Sequence, residues 1–100
     1  MSNDWETENR IINEFKNWIG NNKHLNDIEM FFIINTKQQD KITKEEFAQF
    51  VLKHLLFSKS EINDFKIERV LTLISISKNK FLNINDIRQY IQFKKVLLEK

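Results

Sequence analysis

The side chains that could carry chemistry are concentrated in two short polar joints. The stretches Asp40-Lys-Ile-Thr-Lys-Glu-Glu-Phe47 and Asn79-Lys-Phe-Leu-Asn-Ile-Asn-Asp-Ile87 each place an aliphatic residue, Ile42 or Leu82, four positions before an acid, Glu46 or Asp86. An apolar residue follows each acid at once. Other chemistries lack their residues. The chain has no cysteine, which removes disulfides, thiolate metal sites and thiol nucleophiles. His24 and His54 are far apart and neither has a second histidine at ligand spacing, so a transition-metal site is unsupported. With no glycine-rich phosphate loop, nucleophile elbow, His-Glu-x-x-His zinc motif or acid–base pair, neither an enzyme nor a cofactor is expected.

Helices must position these joints. Proline is absent and glycine occurs once, at Gly20, so a sheet that needs several tight left-handed turns is hard to build, while helices joined by polar loops are easy. Apolar positions Ile11, Ile12, Phe15, Trp18 and Ile19 follow helical spacing and predict a first helix over 4–19, stopping at Gly20. Asn26, with Glu29 three residues on, reads as a capping box that opens a second helix through Met30, Phe31 and Ile34. After the first joint, Phe47, Phe50, Val51, Leu55 and Leu56 mark a third helix. Ser58 with Glu61 offers another capping-box start, leading into Ile62, Phe65, Ile67, Val70, Leu71 and Ile74. After the second joint, Ile84, Ile87, Tyr90, Ile91, Phe93 and Val96 mark a fifth helix.

One hundred residues fit a single domain, and 41% apolar with 30% charged residues is globular composition. A net charge of +2, spread over interleaved acids and bases, gives no basic face for nucleic acid. The longest apolar run is residues 30–34, the N-terminus has no signal-like stretch, and acids outnumber bases in the first helix. Membrane insertion is therefore not expected, and a cytoplasmic protein is.

The duplicated joint resembles the EF-hand family, in which a twelve-residue loop carries a hydrophobic residue at its eighth place and a metal-binding carboxylate at its twelfth. The resemblance covers residues 25–97 and implies an all-α fold: a degenerate EF-hand pair (25–57 and 58–97) preceded by an extra amphipathic helix at 4–20. The loops become residues 35–46 and 75–86, and Ile42 and Leu82 would meet in a short antiparallel bridge. The family pattern fails in places, since Lys37 and Ser77 take the third place while Asp40 and Lys80 replace the central glycine.

By the same resemblance, the second loop would offer Ser75, Ser77, Asn79, the Phe81 carbonyl, Asn83 and Asp86 to a cation. The first would offer Asn35, Gln39, the Lys41 carbonyl, Thr43 and Glu46. Calcium wants six to eight oxygens, and each loop is short of carboxylates, so both are expected to do without metal, with weak calcium or magnesium binding by the second loop as the alternative. Lys37 either pairs with Glu46 across the first loop or is a solvated lysine. Paired EF-hands grip amphipathic helices in an apolar groove, here assigned to Phe31, Phe47, Phe50, Val51, His54, Leu71, Ile87, Tyr90 and Ile91. The expected function is a calcium-independent protein-interaction module, light-chain-like or cytoskeletal, whose partner is an amphipathic helix or a larger cytoskeletal or ciliary assembly. The N-terminal helix could cover the groove in cis, extend the core or enter a partner.

Overall fold

The computed structural model describes residues 5–37 and 39–98, with side chains given through residue 91. Among the described residues there are five helices and no strands: α1 (Glu6–Asn21), α2 (Asp27–Ile34), α3 (Lys44–His54), α4 (Asp64–Ile74) and α5 (Ile84–Leu98). The all-α expectation holds. Phe93 and Val96, which the sequence pattern assigns to the apolar face of α5, have side chains outside the described residues.

In α1, Ile11, Phe15 and Ile19 recur every fourth residue and are buried, with Ile12 and Trp18 half-buried beside them. Glu6 and Glu8 occupy its first turn, where unpaired backbone N–H groups favour negative charge. The helix does not stop at Gly20 as its sequence predicts. Asn22 ends it, donating from its side-chain amide to the Trp18 carbonyl at 2.7 Å and from its backbone N–H to Ile19 at 3.2 Å. These bonds satisfy end carbonyls that a left-handed glycine would otherwise have to serve.

Asn26 caps α2 reciprocally with Glu29, as the spacing predicts. Helix α4 departs from its predicted start. Ser58 and Glu61 do bond, but the Glu61 backbone N–H goes to the Ser58 carbonyl and closes a turn. The cap of α4 is Asn63, whose side chain accepts from the Lys66 N–H at 2.8 Å. A cap of this kind is worth about 1 kcal/mol. At the end of α3, Leu56 takes a left-handed backbone (φ 62°), which lets the Phe57 N–H return to the Val51 carbonyl and turns the Phe57 ring inward.

Helices α2 and α3 flank the first joint, and α4 and α5 flank the second. The two units interlock: α2 packs on α5 and α3 on α4, while α1 lies against α4 and α5. One apolar core runs through all five helices and includes both joint aliphatics, Ile42 and Leu82.

Candidate functional site

The two joints meet at Ile42 and Leu82. Each residue donates its N–H to the other's carbonyl, at 2.7 and 3.0 Å, and the pair forms an isolated antiparallel bridge with both side chains fully buried. Beside it, the Lys41 ammonium stands 4.8 Å from the centre of the Phe81 ring. A cation over an aromatic face is favourable by about 0.5–1 kcal/mol where water still reaches it.

Behind the bridge, each joint is closed by the acid four positions later. Glu46 is only 3% exposed and uses its two oxygens separately: Oε2 accepts from the Lys37 N–H at 2.8 Å and Oε1 from the Thr43 N–H at 3.0 Å. Asp86, 2% exposed, does the same, with Oδ1 accepting from the Ile76 N–H at 2.7 Å and Oδ2 from the Asn83 N–H at 2.9 Å. The same acids complete helix caps. Thr43 accepts from the Glu46 N–H, and Asn83 accepts from the Asp86 N–H at 3.2 Å. One carboxylate thus starts the exiting helix and ties it back to the entering side of its own loop. Bonds from N–H to an ionised carboxylate are among the stronger hydrogen bonds available.

The residues opening the joints are equally engaged. Asn35 is buried, and its amide brackets Gln39, accepting from the Gln39 N–H at 3.3 Å and donating to the Gln39 carbonyl. Buried Ser75 accepts from the Asn79 N–H at 3.2 Å through its hydroxyl. Of the remaining oxygen donors in the sequence-derived sets, Gln39 and Ser77 are exposed, and Asn79 and Phe81 are half-buried. Lys37 meets Glu46 through its backbone, and its side chain is exposed, which is the solvated-lysine alternative. Lys44 and Lys80, one from each joint, converge on Glu68 of α4 at 2.8 and 3.5 Å. The bond from Lys44 holds the Glu68 carboxyl below the usual range and raises Lys44 in return. Among the described residues no three histidine, aspartate or glutamate side chains come together as a metal cluster would require.

The residues assigned to a groove are together, but they are covered. Phe31, Phe47, Phe50, Val51, Leu71 and Ile87 are all buried in the common core. The cover is α1. Phe15 meets Phe47, Phe50 and Tyr90 edge-to-face, with ring centres 5.7, 6.0 and 5.8 Å away. Trp18 stands edge-on to Phe50 at 4.8 Å, and the imidazole of His54 stacks on the other side of Phe50 at 5.2 Å. Each such ring pair adds about 0.5–1.5 kcal/mol beyond area burial. Tyr90 and Ile91 are half-buried at the edge, and His54 is largely exposed. Burial pushes the Tyr90 hydroxyl's pKa up, and burial pushes the His54 imidazole's down, helped by the charge of Lys53.

Sequence reasoning missed the latch that holds the start of α1. Glu8 is fully buried, and Arg69 Nε of α4 lies 3.3 Å from its Oε2, an ion-pair distance without the alignment of a hydrogen bond. The Arg69 guanidinium stacks on Trp5 at 3.5 Å and stands 5.0 Å from Phe65. The signal was present: Glu8 lies on the same helical stripe as Ile11, Phe15 and Ile19, where an acid must find a cation or cost several kcal/mol.

No family model, curated protein or solved structure matches the chain. No helix among the described residues is long and apolar enough to cross a membrane.

Proposed function

We propose that the chain is a metal-independent protein-interaction module built as a degenerate EF-hand pair, with α1 lying in the groove that such a pair offers to an amphipathic helix. The observation that carries this reading is the use made of Glu46 and Asp86. Both oxygens of each are taken by backbone N–H groups across the loop, so each joint is closed by the chain's own donors. A cation would have to draw those oxygens away from N–H groups that already bond to an ionised carboxylate. The bridge at Ile42 and Leu82 and the common forty-residue offset of Asn35/Ser75, Thr43/Asn83 and Glu46/Asp86 support the paired reading.

A segment that resembles α1, apolar at every fourth residue with aromatic anchors, is the partner this groove fits, and it binds by taking the place of α1. Displacing α1 uncovers Phe47, Phe50 and Tyr90, whose burial supplies the affinity.

A calcium titration of isotopically labelled protein, started from chelated sample and followed by amide NMR, tests the metal independence. A spectrum unmoved by millimolar calcium is expected. Shifts confined to residues 75–86 and to Ile42 would instead favour a regulator that binds metal in its second loop.

A further inference from the structure

Beside the face that α1 covers, a cleft of about 360 Å³ opens between the second half of α1, the end of α4 and the side of α5. Its apolar lining includes Leu73 and Ile76, which are 44% and 54% exposed, and the half-buried ring of Tyr90. Among the described residues its charged lining is of one sign, Lys16 and Lys78, and the Gln89 amide adds a neutral polar group. Every arginine among the described residues is ion-paired, and of the lysines only Lys44 and Lys80 are. Arg10 is paired with Glu61, Lys44 and Lys80 with Glu68, Arg69 with Glu8, and Arg88 with Asp27. Among the described residues, neither Lys16 nor Lys78 lies within ion-pair distance of a carboxylate. Lys16 instead hovers 6.0 Å from the centre of the Tyr90 ring.

We propose that this cleft is a docking site for an acidic peptide segment of a protein partner, which places an aliphatic side chain against Leu73, Ile76 and Tyr90 and carboxylates on Lys16 and Lys78. Three features carry it. An exposed apolar floor gains by being covered. Two positive charges in its lining attract an anionic segment. A basic segment of equal apolarity is turned away by the same charges, so the surface discriminates by charge as well as by shape. The inference goes beyond the groove reading: it needs neither metal-free loops nor movement of α1.

The probe is a short fluorescein-labelled peptide of leucine, aspartate and glutamate, with two controls, one carrying lysine for every acid and one carrying serine for every leucine. Anisotropy is expected to show saturable binding of the first peptide only, weakening as salt is raised. In labelled protein, amide shifts should centre on Lys16, Ile76, Lys78 and Gln89 and leave Phe47 and Phe50 in place. The double variant Lys16→Glu/Lys78→Glu should weaken binding about tenfold or more, and Ile76→Ser should weaken it while retaining both charges. Each variant's amide spectrum checks that it is folded. Equal binding by the double variant, equal binding of the lysine peptide, or no binding at millimolar peptide overturns the cleft. Shifts centred on Phe15, Phe47 and Phe50 also overturn it, and would instead favour displacement of α1 from the groove.

Discussion

The half of the molecule built on α2 and α3 and the half built on α4 and α5 perform the same local task with different residues. In the first, Asn35 opens the joint, Thr43 caps the exiting helix and Glu46 closes the loop. In the second, Ser75, Asn83 and Asp86 do so. Glutamate is one methylene longer than aspartate, and the loops absorb the difference at the receiving end: Glu46 reaches the N–H of Lys37, two residues past Asn35, whereas Asp86 reaches that of Ile76, one past Ser75. What is common to the halves is a hydrogen-bonding scheme, and the side chains vary around it. What differs is their relation to α1. Phe47 and Phe50 of α3 are buried beneath Phe15 and Trp18, while Tyr90 of α5 stays half-buried at the margin of the open cleft.

The bridge is where the halves are most alike, and breaking it should have the largest effect. Ile42→Ala and Leu82→Ala each empty a fully buried site shared by both joints, and each should cost about 2–5 kcal/mol. Denaturant unfolding checks this. Near-equal losses would support a symmetric bridge, and a loss under 1 kcal/mol in only one half would break the comparison.

Next come the closing acids. Glu46→Ala and Asp86→Ala each remove the acceptors of two part-buried backbone N–H groups, at about 1–3 kcal/mol. Glu46→Gln and Asp86→Asn should lose roughly half as much, because an amide offers one oxygen where the carboxylate used two. Hydrogen exchange at Lys37 and Ile76 locates the damage. Faster exchange at Ile76 but not Lys37 in the Asp86 variants, and the reverse in the Glu46 variants, is the expected pattern.

These features were unequally legible in the sequence. The helices follow from apolar spacing, which is local, whereas the pairing of Ile42 with Leu82 is what the resemblance of the duplicated joints to an EF-hand pair implies. The start of α4 was misplaced because Ser58 and Glu61 form the predicted side-chain bond within a turn, and the spacing alone does not separate a turn from a helix start. The oxygen-bearing residues of the joints were visible as ligands for a cation, yet the oxygens of Asn35, Thr43, Glu46, Ser75, Asn83 and Asp86 accept from the chain's own N–H groups, whose directions no residue list contains. Most residues assigned to a groove lie in the common core, with Tyr90 and Ile91 packed against it. That α1 covers them depends on how the helix docks, and Phe15 and Trp18 read equally well as core or as a partner's anchor.

A smaller effect concerns the backbone of the second joint. Lys78 holds a left-handed φ of 59° in the second joint, a conformation that costs a residue with a side chain about 1–2 kcal/mol. Lys78→Gly should therefore stabilise the protein by roughly 1 kcal/mol, less the entropy that glycine adds to the unfolded chain. Thermal melting checks the sign. A destabilised variant would mean that the lysine side chain makes contacts worth more than the strain it bears.

The smallest effect is on pH, and it distinguishes the two margins of α1. His54, on the α3 side, has its pKa lowered from 6.5 by burial against Phe50. Its contribution is present above pH 6.5 and lost as pH falls through the lowered value, because the unfolded chain takes up the proton first. Tyr90, on the α5 side, has its pKa raised from 10.0 by burial, so its contribution is present below pH 10.0 and lost as pH rises through the raised value. Stability should therefore decline in both directions from a plateau between these limits. His54→Gln should lessen the decline just below pH 6.5 alone, with Glu68 still contributing at lower pH, and Tyr90→Phe should lessen the alkaline decline alone. If either variant flattened both arms, the two margins would be a single coupled contact, and the contrast between a sealed α3 side and an open α5 side would fail.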